Sequence, residues 1–216
     1  MKSKIIVALD VPDWESAQSL VQRLAPLVPM FKIGAQLFTR YGPAVVQLVL
    51  QHQRDVFLDL KYHDIPNTVA NAVAAAQALS VHMLTVHTAG GADMLRAAAA
   101  VQPRPRIVGV TVLTSVAGTV ADEVVTRAQL ARDCGLDGVV ASPHEIGPLR
   151  QRFGDHFIIV TPGIRPTGSA TGDQQRVSTP AAAVAAGADY LVIGRPIVAA
   201  ADPVAATRQI LAEMGA

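Results

Sequence analysis

Short apolar runs alternate with Ala-rich amphipathic stretches from one end of this sequence to the other. The runs are Ile5–Leu9, Met30–Ile33, Val56–Leu60, Met83–Val86, Ile107–Leu113, Gly138–Ala141, Phe157–Val160 and Tyr190–Ile193. Helix-like segments separate them: Trp14–Leu27, Pro43–Gln53, Thr68–Leu79, Ala92–Val101, Val120–Cys134, His144–Phe153, Pro180–Ala186 and Pro203–Met214. Strands alternating with helices at this spacing read as parallel βαβ units. Strands this rich in Val, Ile and Leu suit a sheet buried on both faces. Eight units sharing 216 residues have 27 each, which predicts a compact α/β chain, a (β/α)8 TIM barrel in one catalytic domain over residues 1–216. A doubly wound open sheet is the alternative. Against it, the first strand-to-helix turn, Leu9-Asp10-Val11-Pro12-Asp13, has no Gly-x-Gly-x-x-Gly.

Hydrophobic residues make up 50% of the chain and charged residues 16%, which excludes a disordered chain. The mean hydropathy of +0.33 invites a membrane reading. Yet no apolar run approaches the roughly 18 residues of a spanning helix. Lys and Arg total 18 against 17 Asp and Glu, a net charge of +1. Bulk charge therefore argues for neither nucleic acid nor a membrane surface as partner. The single cysteine, Cys134, rules out an intrachain disulfide and sits at an apparent helix end, where packing is its expected role. Met1-Lys2-Ser3-Lys4-Ile5 lacks the apolar stretch of a signal peptide, so the expected compartment is the cytoplasm.

Barrel chemistry sits at the C-terminal ends of the strands. Charges are scarce, yet ionisable groups recur there. Asp10 ends run one, Lys32 lies in run two, and run three continues as Asp59-Leu60-Lys61-Tyr62-His63-Asp64. His87 follows run four, Thr114-Ser115 run five, Ser142 run six, Pro162-Gly163-Ile164-Arg165 run seven and Gly194-Arg195 run eight. Asp59 and Lys61 are two apart on a strand and share a face. They read as a structural ion pair or, since desolvating such a pair is costly, as part of an active site with Lys32 as a third member. Asp64, just before Pro66, reads as a helix N-cap or as a functional carboxylate. A lysine between two carboxylates argues against a divalent metal, and no His-Glu-x-x-His or Cys-x-x-Cys pattern is present. Gly194-Arg195, together with Pro162–Arg165, has the makings of a barrel phosphate site. The aperiodic segment Pro162–Thr179 is long enough to be a functional loop or a tolerated insertion.

The stretch Phe57-Leu58-Asp59-Leu60-Lys61-Tyr62-His63-Asp64-Ile65-Pro66-Asn67-Thr68 closely resembles the signature of the orotidine 5′-phosphate decarboxylase family. So do Val110–Ser115, Thr161–Pro166 and Val192–Pro196, and Asp173-Gln174 sits where that family has its loop glutamine. The likeness runs in order almost from Lys4 to the C-terminus. It departs in a shorter segment after Ser115 and in His87-Thr88-Ala89-Gly90-Gly91, which differs from the commoner His-Ala form. The resemblance implies conversion of orotidine 5′-monophosphate to UMP and CO2, the last step of de novo pyrimidine synthesis, with neither cofactor nor metal. It implies Lys61 as proton donor to C6 and Asp59 beside the departing carboxylate. Lys32, Asp59, Lys61 and a partner chain's Asp64 would form an alternating charge array. Asp10 and Lys32, with a partner chain's Thr68, would hold ribose hydroxyls. Thr114 or Ser115 would contact the base, and Ile65 and Pro162 would line the site. Gln174, Arg195 and the Gly194 backbone would hold the phosphate, with Arg165 supporting that loop. An obligate homodimer follows from the roles of Asp64 and Thr68.

The chemistry fits these roles. Losing CO2 from C6 leaves a carbanion without an adjacent carbonyl to delocalise it, so fixed cations and a proton-donating lysine are what such a site needs. Phosphate binding far from the breaking bond can drive closure of Pro162–Thr179. The nearest rivals are Mg2+-dependent barrel enzymes acting on sugar phosphates, such as a 3-keto-gulonate-phosphate decarboxylase or hexulose-phosphate synthase. A catalytically dead phosphate-binding module is the rival of another class.

Overall fold

The computed structural model describes residues 4–113, 120–166 and 177–215. Eight parallel strands close into a barrel in sequence order. They are β1 (Lys4–Ala8), β2 (Met30–Gly34), β3 (Asp55–Tyr62), β4 (Met83–His87), β5 (Arg106–Val110), β6 (Gly138–Val140), β7 (Ile158–Thr161) and β8 (Tyr190–Ile193). Around them lie α1 (Trp14–Leu24), α2 (Ala35–Tyr41), α3 (Pro43–Gln51), α4 (Pro66–Ala78), α5 (Gly91–Ala100), α6 (Ala121–Asp133), α7 (Ile146–Phe153), α8 (Pro180–Ala186), α9 (Arg195–Val198) and α10 (Pro203–Glu213). This is the TIM-barrel architecture, and the open sheet is set aside.

The strands are apolar on both faces because each face meets a different core. Ile5, Val7, Val56, Leu58, Leu84 and Val86 point outward and pack under the helices. Ile6, Ala8, Met30, Phe57, Met83, Val108, Val160, Tyr190 and Val192 fill the lumen. Helix starts follow local chemistry. Asp13 accepts the Ser16 N–H at 2.7 Å, Thr179 accepts that of Ala182 at 3.2 Å, and Asp202 accepts that of Val204 at 3.0 Å. Two Arg–Asp pairs brace the N-terminal rim. Arg104 meets Asp137 and Arg150 meets Asp189, both at 2.5 Å, and each carboxylate also accepts a strand N–H, of Ile107 and Ile159, at 2.7 Å. Cys134 is buried at the end of α6, and burial pushes its thiol pKa up.

Two expectations need correction. The apolar run Ile107–Leu113 is not all strand. It leaves the barrel after Val110, where the Thr111 hydroxyl donates to the Val140 carbonyl at 2.8 Å and Val112 and Leu113 turn to border a cavity. Helix α2 was not expected. Gly42, at φ 56, separates it from Pro43 at the start of α3, so the β2–β3 connection holds two short helices.

Candidate active site

The lumen-facing positions recur every second residue, and one more step past the apolar plug changes its chemistry. Ala8 is followed by Asp10, Met30 by Lys32, Phe57 by Asp59, Met83 by Thr85, Val160 by Pro162 and Val192 by Gly194. Except for Thr85, these polar or turn-forming residues line a cavity of about 530 Å³ at the C-terminal mouth of the barrel. Lys61, Val112, Leu113, Arg165 and Arg195 complete much of its wall. That size suits a small-molecule ligand.

One wall of the cavity is a row of alternating charges. Asp10 Oδ1 lies 2.9 Å from Lys32 Nζ, which lies 3.5 Å from Asp59 Oδ2. Asp59 Oδ1 in turn accepts a hydrogen bond from Lys61 Nζ at 2.8 Å. Solvent access is graded along the row: side-chain exposure is 54% at Asp10, 10% at Lys32, 13% at Asp59 and 40% at Lys61. Burial alone would raise the Asp59 pKa. The charges of Lys32 and Lys61, with hydrogen bonds from Lys61 and Thr85, outweigh burial and hold the carboxyl below its ordinary value. Asp59 is therefore a buried, ionised carboxylate between two ammonium groups. Gly34 borders this row, and a Cβ there would approach Lys32 Nζ to 3.1 Å and Asp10 Oδ1 to 3.3 Å, so a side chain would crowd the pair.

Across the cavity, the stem of the loop after β7 is pinned. The Arg165 N–H donates to the Ser178 carbonyl at 2.9 Å, and the Ser178 N–H to that of Gly163 at 3.2 Å. The Arg165 side chain is buried there and donates to the Ile164 carbonyl at 2.9 Å. Gly194 precedes α9, whose first residue, Arg195, is exposed at the cavity rim.

Asp10, Lys32, Asp59, Lys61, Pro162, Arg165, Gly194 and Arg195 thus surround one space. Asp64, Ile65 and Thr68 do not join them. Residues 63–68 are all exposed, and Ile65, at 67%, is the most exposed large hydrophobic among the described residues. Asp64 is not the N-cap of α4. That position belongs to Ile65, and the Asp64 carboxylate accepts the Ile65 N–H at 2.7 Å. Thr114, Ser115 and Gln174 lie outside the described residues. Beside Asp64, the rings of His63 and His87 stack with centroids 5.4 Å apart. Burial, and then the neighbouring His63, Arg127 and Lys61, push the His87 pKa down. Among the described residues no three His, Cys, Asp or Glu side chains group as a metal site, and no helix is long and apolar enough to cross a membrane.

Sequence reasoning missed Thr85. Its hydroxyl donates to Asp59 Oδ1 at 3.1 Å and accepts the Lys61 N–H at 2.8 Å. The signal was there: a polar residue at a lumen-facing position of the apolar run Met83–Val86.

Residues 3–210 match the Orotidine 5′-phosphate decarboxylase / HUMPS family. The orotidine 5′-phosphate decarboxylase of Moorella thermoacetica is 54% identical over 99% of this chain and 92% of its own length. That of Nitrosococcus oceani is 50% identical over 99% and 98%. Among solved structures, orotidine 5′-phosphate decarboxylase from Lactobacillus acidophilus superposes with a TM-score of 0.85 at 35% identity, covering 99% of this chain and 100% of that one. The enzyme from Pyrococcus horikoshii gives 0.83 at 27%, covering 98% and 99%.

Proposed function

The chain belongs to the Orotidine 5′-phosphate decarboxylase / HUMPS family, and on that premise we propose that it is a carboxy-lyase converting orotidine 5′-monophosphate to UMP and CO2 in pyrimidine biosynthesis. The observation that carries this reading is the row Lys32–Asp59–Lys61 on the wall of a cavity whose rim holds Arg195. Breaking the C6–carboxylate bond leaves its electron pair on C6, in the plane of the ring and out of reach of the ring carbonyls. Preorganised cations beside C6 stabilise that charge without reorganising as it develops. Lys61 Nζ, held at 2.8 Å from Asp59, then gives its proton to C6 and recovers one from solvent. Asp59 pairs with both lysines and faces the departing carboxylate.

The remaining contacts follow from the cavity. Asp10 and Lys32 hold ribose hydroxyls. Arg195 and the Gly194 backbone grip the phosphate with Gln174, and Arg165 supports the loop after β7. Pro162 lines the site, and Thr114 or Ser115 contacts the base. The active unit is a cytoplasmic homodimer of chains each forming one catalytic domain. Asp64 and Thr68 of each chain complete the neighbour's site, with Ile65 between them on the same exposed segment. Support for that comes from their exposure outside their own cavity, since an isoleucine 67% exposed beside a carboxylate is what a dimer contact would cover.

Loss of orotidylate absorbance, followed with a chelator present, tests the reading. Turnover with chelator supports it. No turnover on orotidylate refutes it, and activity on a sugar phosphate only with Mg2+ would favour the sugar-phosphate branch.

A further inference from the structure

The bend that brings Lys61 back toward Asp59 is an irregularity in the barrel. Leu58 pairs with Leu84, and the next pair is Tyr62 with Val86, so β3 uses four residues where β4 uses two. Within this bulge Lys61 adopts φ 51, a left-handed conformation that a lysine does not take without support. Thr85 is the single β4 residue opposite the bulge, and it is 1% exposed. Its Oγ1 accepts the Lys61 N–H at 2.8 Å, which directs the hydroxyl proton elsewhere, and it donates that proton to Asp59 Oδ1 at 3.1 Å. The same carboxylate oxygen takes the Lys61 Nζ hydrogen bond. A buried hydroxyl thus joins the backbone of one charged residue to the side chain of the other.

We propose that Thr85 is a positioning residue, whose hydroxyl holds the Lys61 backbone and the Asp59 carboxylate in the arrangement that aims Lys61 Nζ into the cavity. Valine at this position has the same shape and neither bond. It leaves the partly buried Lys61 N–H without its acceptor and lets the bulge and the carboxylate rotate. Serine keeps both bonds and loses only a methyl group.

The test uses the full-length protein with Thr85→Val, Thr85→Ala and Thr85→Ser. Its kinetic arm rests on the decarboxylase reading. There, Thr85→Val and Thr85→Ala lower kcat roughly 10- to 100-fold with KM little changed, the loss expected of a hydrogen bond to a charged group, and Thr85→Ser restores kcat. A second arm needs no substrate. In the free protein, carbon-detected NMR titration of Asp59 moves to higher pH in the valine and alanine variants and returns in serine. If orotidylate is not turned over by the wild type, the functional reading fails while the titration still decides the positioning role. Wild-type kcat in a folded valine or alanine variant, a serine variant as impaired as valine, or an unmoved Asp59 titration would each overturn it.

Discussion

Replacing Lys32 with methionine isolates the electrostatics of the charge row, because the substitution keeps the stem and removes the ammonium group. Lys32 Nζ lies 3.5 Å from Asp59 and 2.9 Å from Asp10. At an effective dielectric constant of about 20, a pair 3.5 Å apart is worth up to about 5 kcal/mol. That is an upper bound, since Lys61 remains beside Asp59 and Asp10 is half open to water. In Lys32→Met the two carboxylates face each other across an apolar side chain, and the buried one keeps a single, more exposed cation. A loss of about 2 kcal/mol at neutral pH is expected, which for a chain of this size lowers Tm by roughly 4 to 8 °C. The pH dependence gives the sharper test. Asp59 is held below its ordinary pKa in the folded protein, so its ionised form adds stability above the unfolded-state pKa of about 4 and that contribution disappears as pH falls through the folded value. A protonated Asp59 needs no cation, so the gap between wild type and variant narrows on acidification. Urea unfolding at pH 7 and below pH 4, at fixed protein concentration, measures both terms. Equal stability at pH 7, or a gap of constant size at both pH values, would refute the account of Asp59 as a buried carboxylate sustained by Lys32.

Lys61→Ala should abolish turnover while largely keeping binding of a nucleotide ligand, measured by calorimetry; near-normal turnover would remove Lys61 as proton donor. Arg195→Ala should raise KM for orotidylate by roughly 10- to 100-fold, as for loss of a charge-assisted contact, and should leave the phosphate-free nucleoside unaffected. An equal loss on the nucleoside would show that Arg195 acts elsewhere. Mixed Lys61→Ala and Asp64→Ala chains should recover part of the activity that neither variant has alone, and no recovery after confirmed subunit exchange would count against a shared site.

The barrel was legible because a strand buried on both faces is apolar at nearly every position, and eight such runs with helical spacers between them leave few alternatives. The site was legible in outline for a related reason. In a chain with 16% charged residues, Asp10, Lys32, Asp59, Lys61 and Arg195 stand out at the ends of apolar runs. What did not carry over was geometry at the ends. Helix α2 depends on a break at Gly42-Pro43 that was readable, whereas the end of β5 at Val110 depends on where β6 stops pairing, which no local pattern states.

Sequence alone thus determined the strand order, the shared face of Asp59 and Lys61, and which residue types meet at the mouth of the barrel. Tertiary structure decided how they meet. Regular alternation would place Asp59 and Lys61 on one face, but the 2.8 Å contact also involves a bulge, a left-handed lysine and a threonine from the next strand. It also decided that Asp64, three residues on, lies outside the cavity that Asp59 and Lys61 line. The physical reason is that side-chain direction within a strand is set by local backbone geometry, whereas the path of a bulged strand end is set by hydrogen bonds to a residue 24 positions away in the chain.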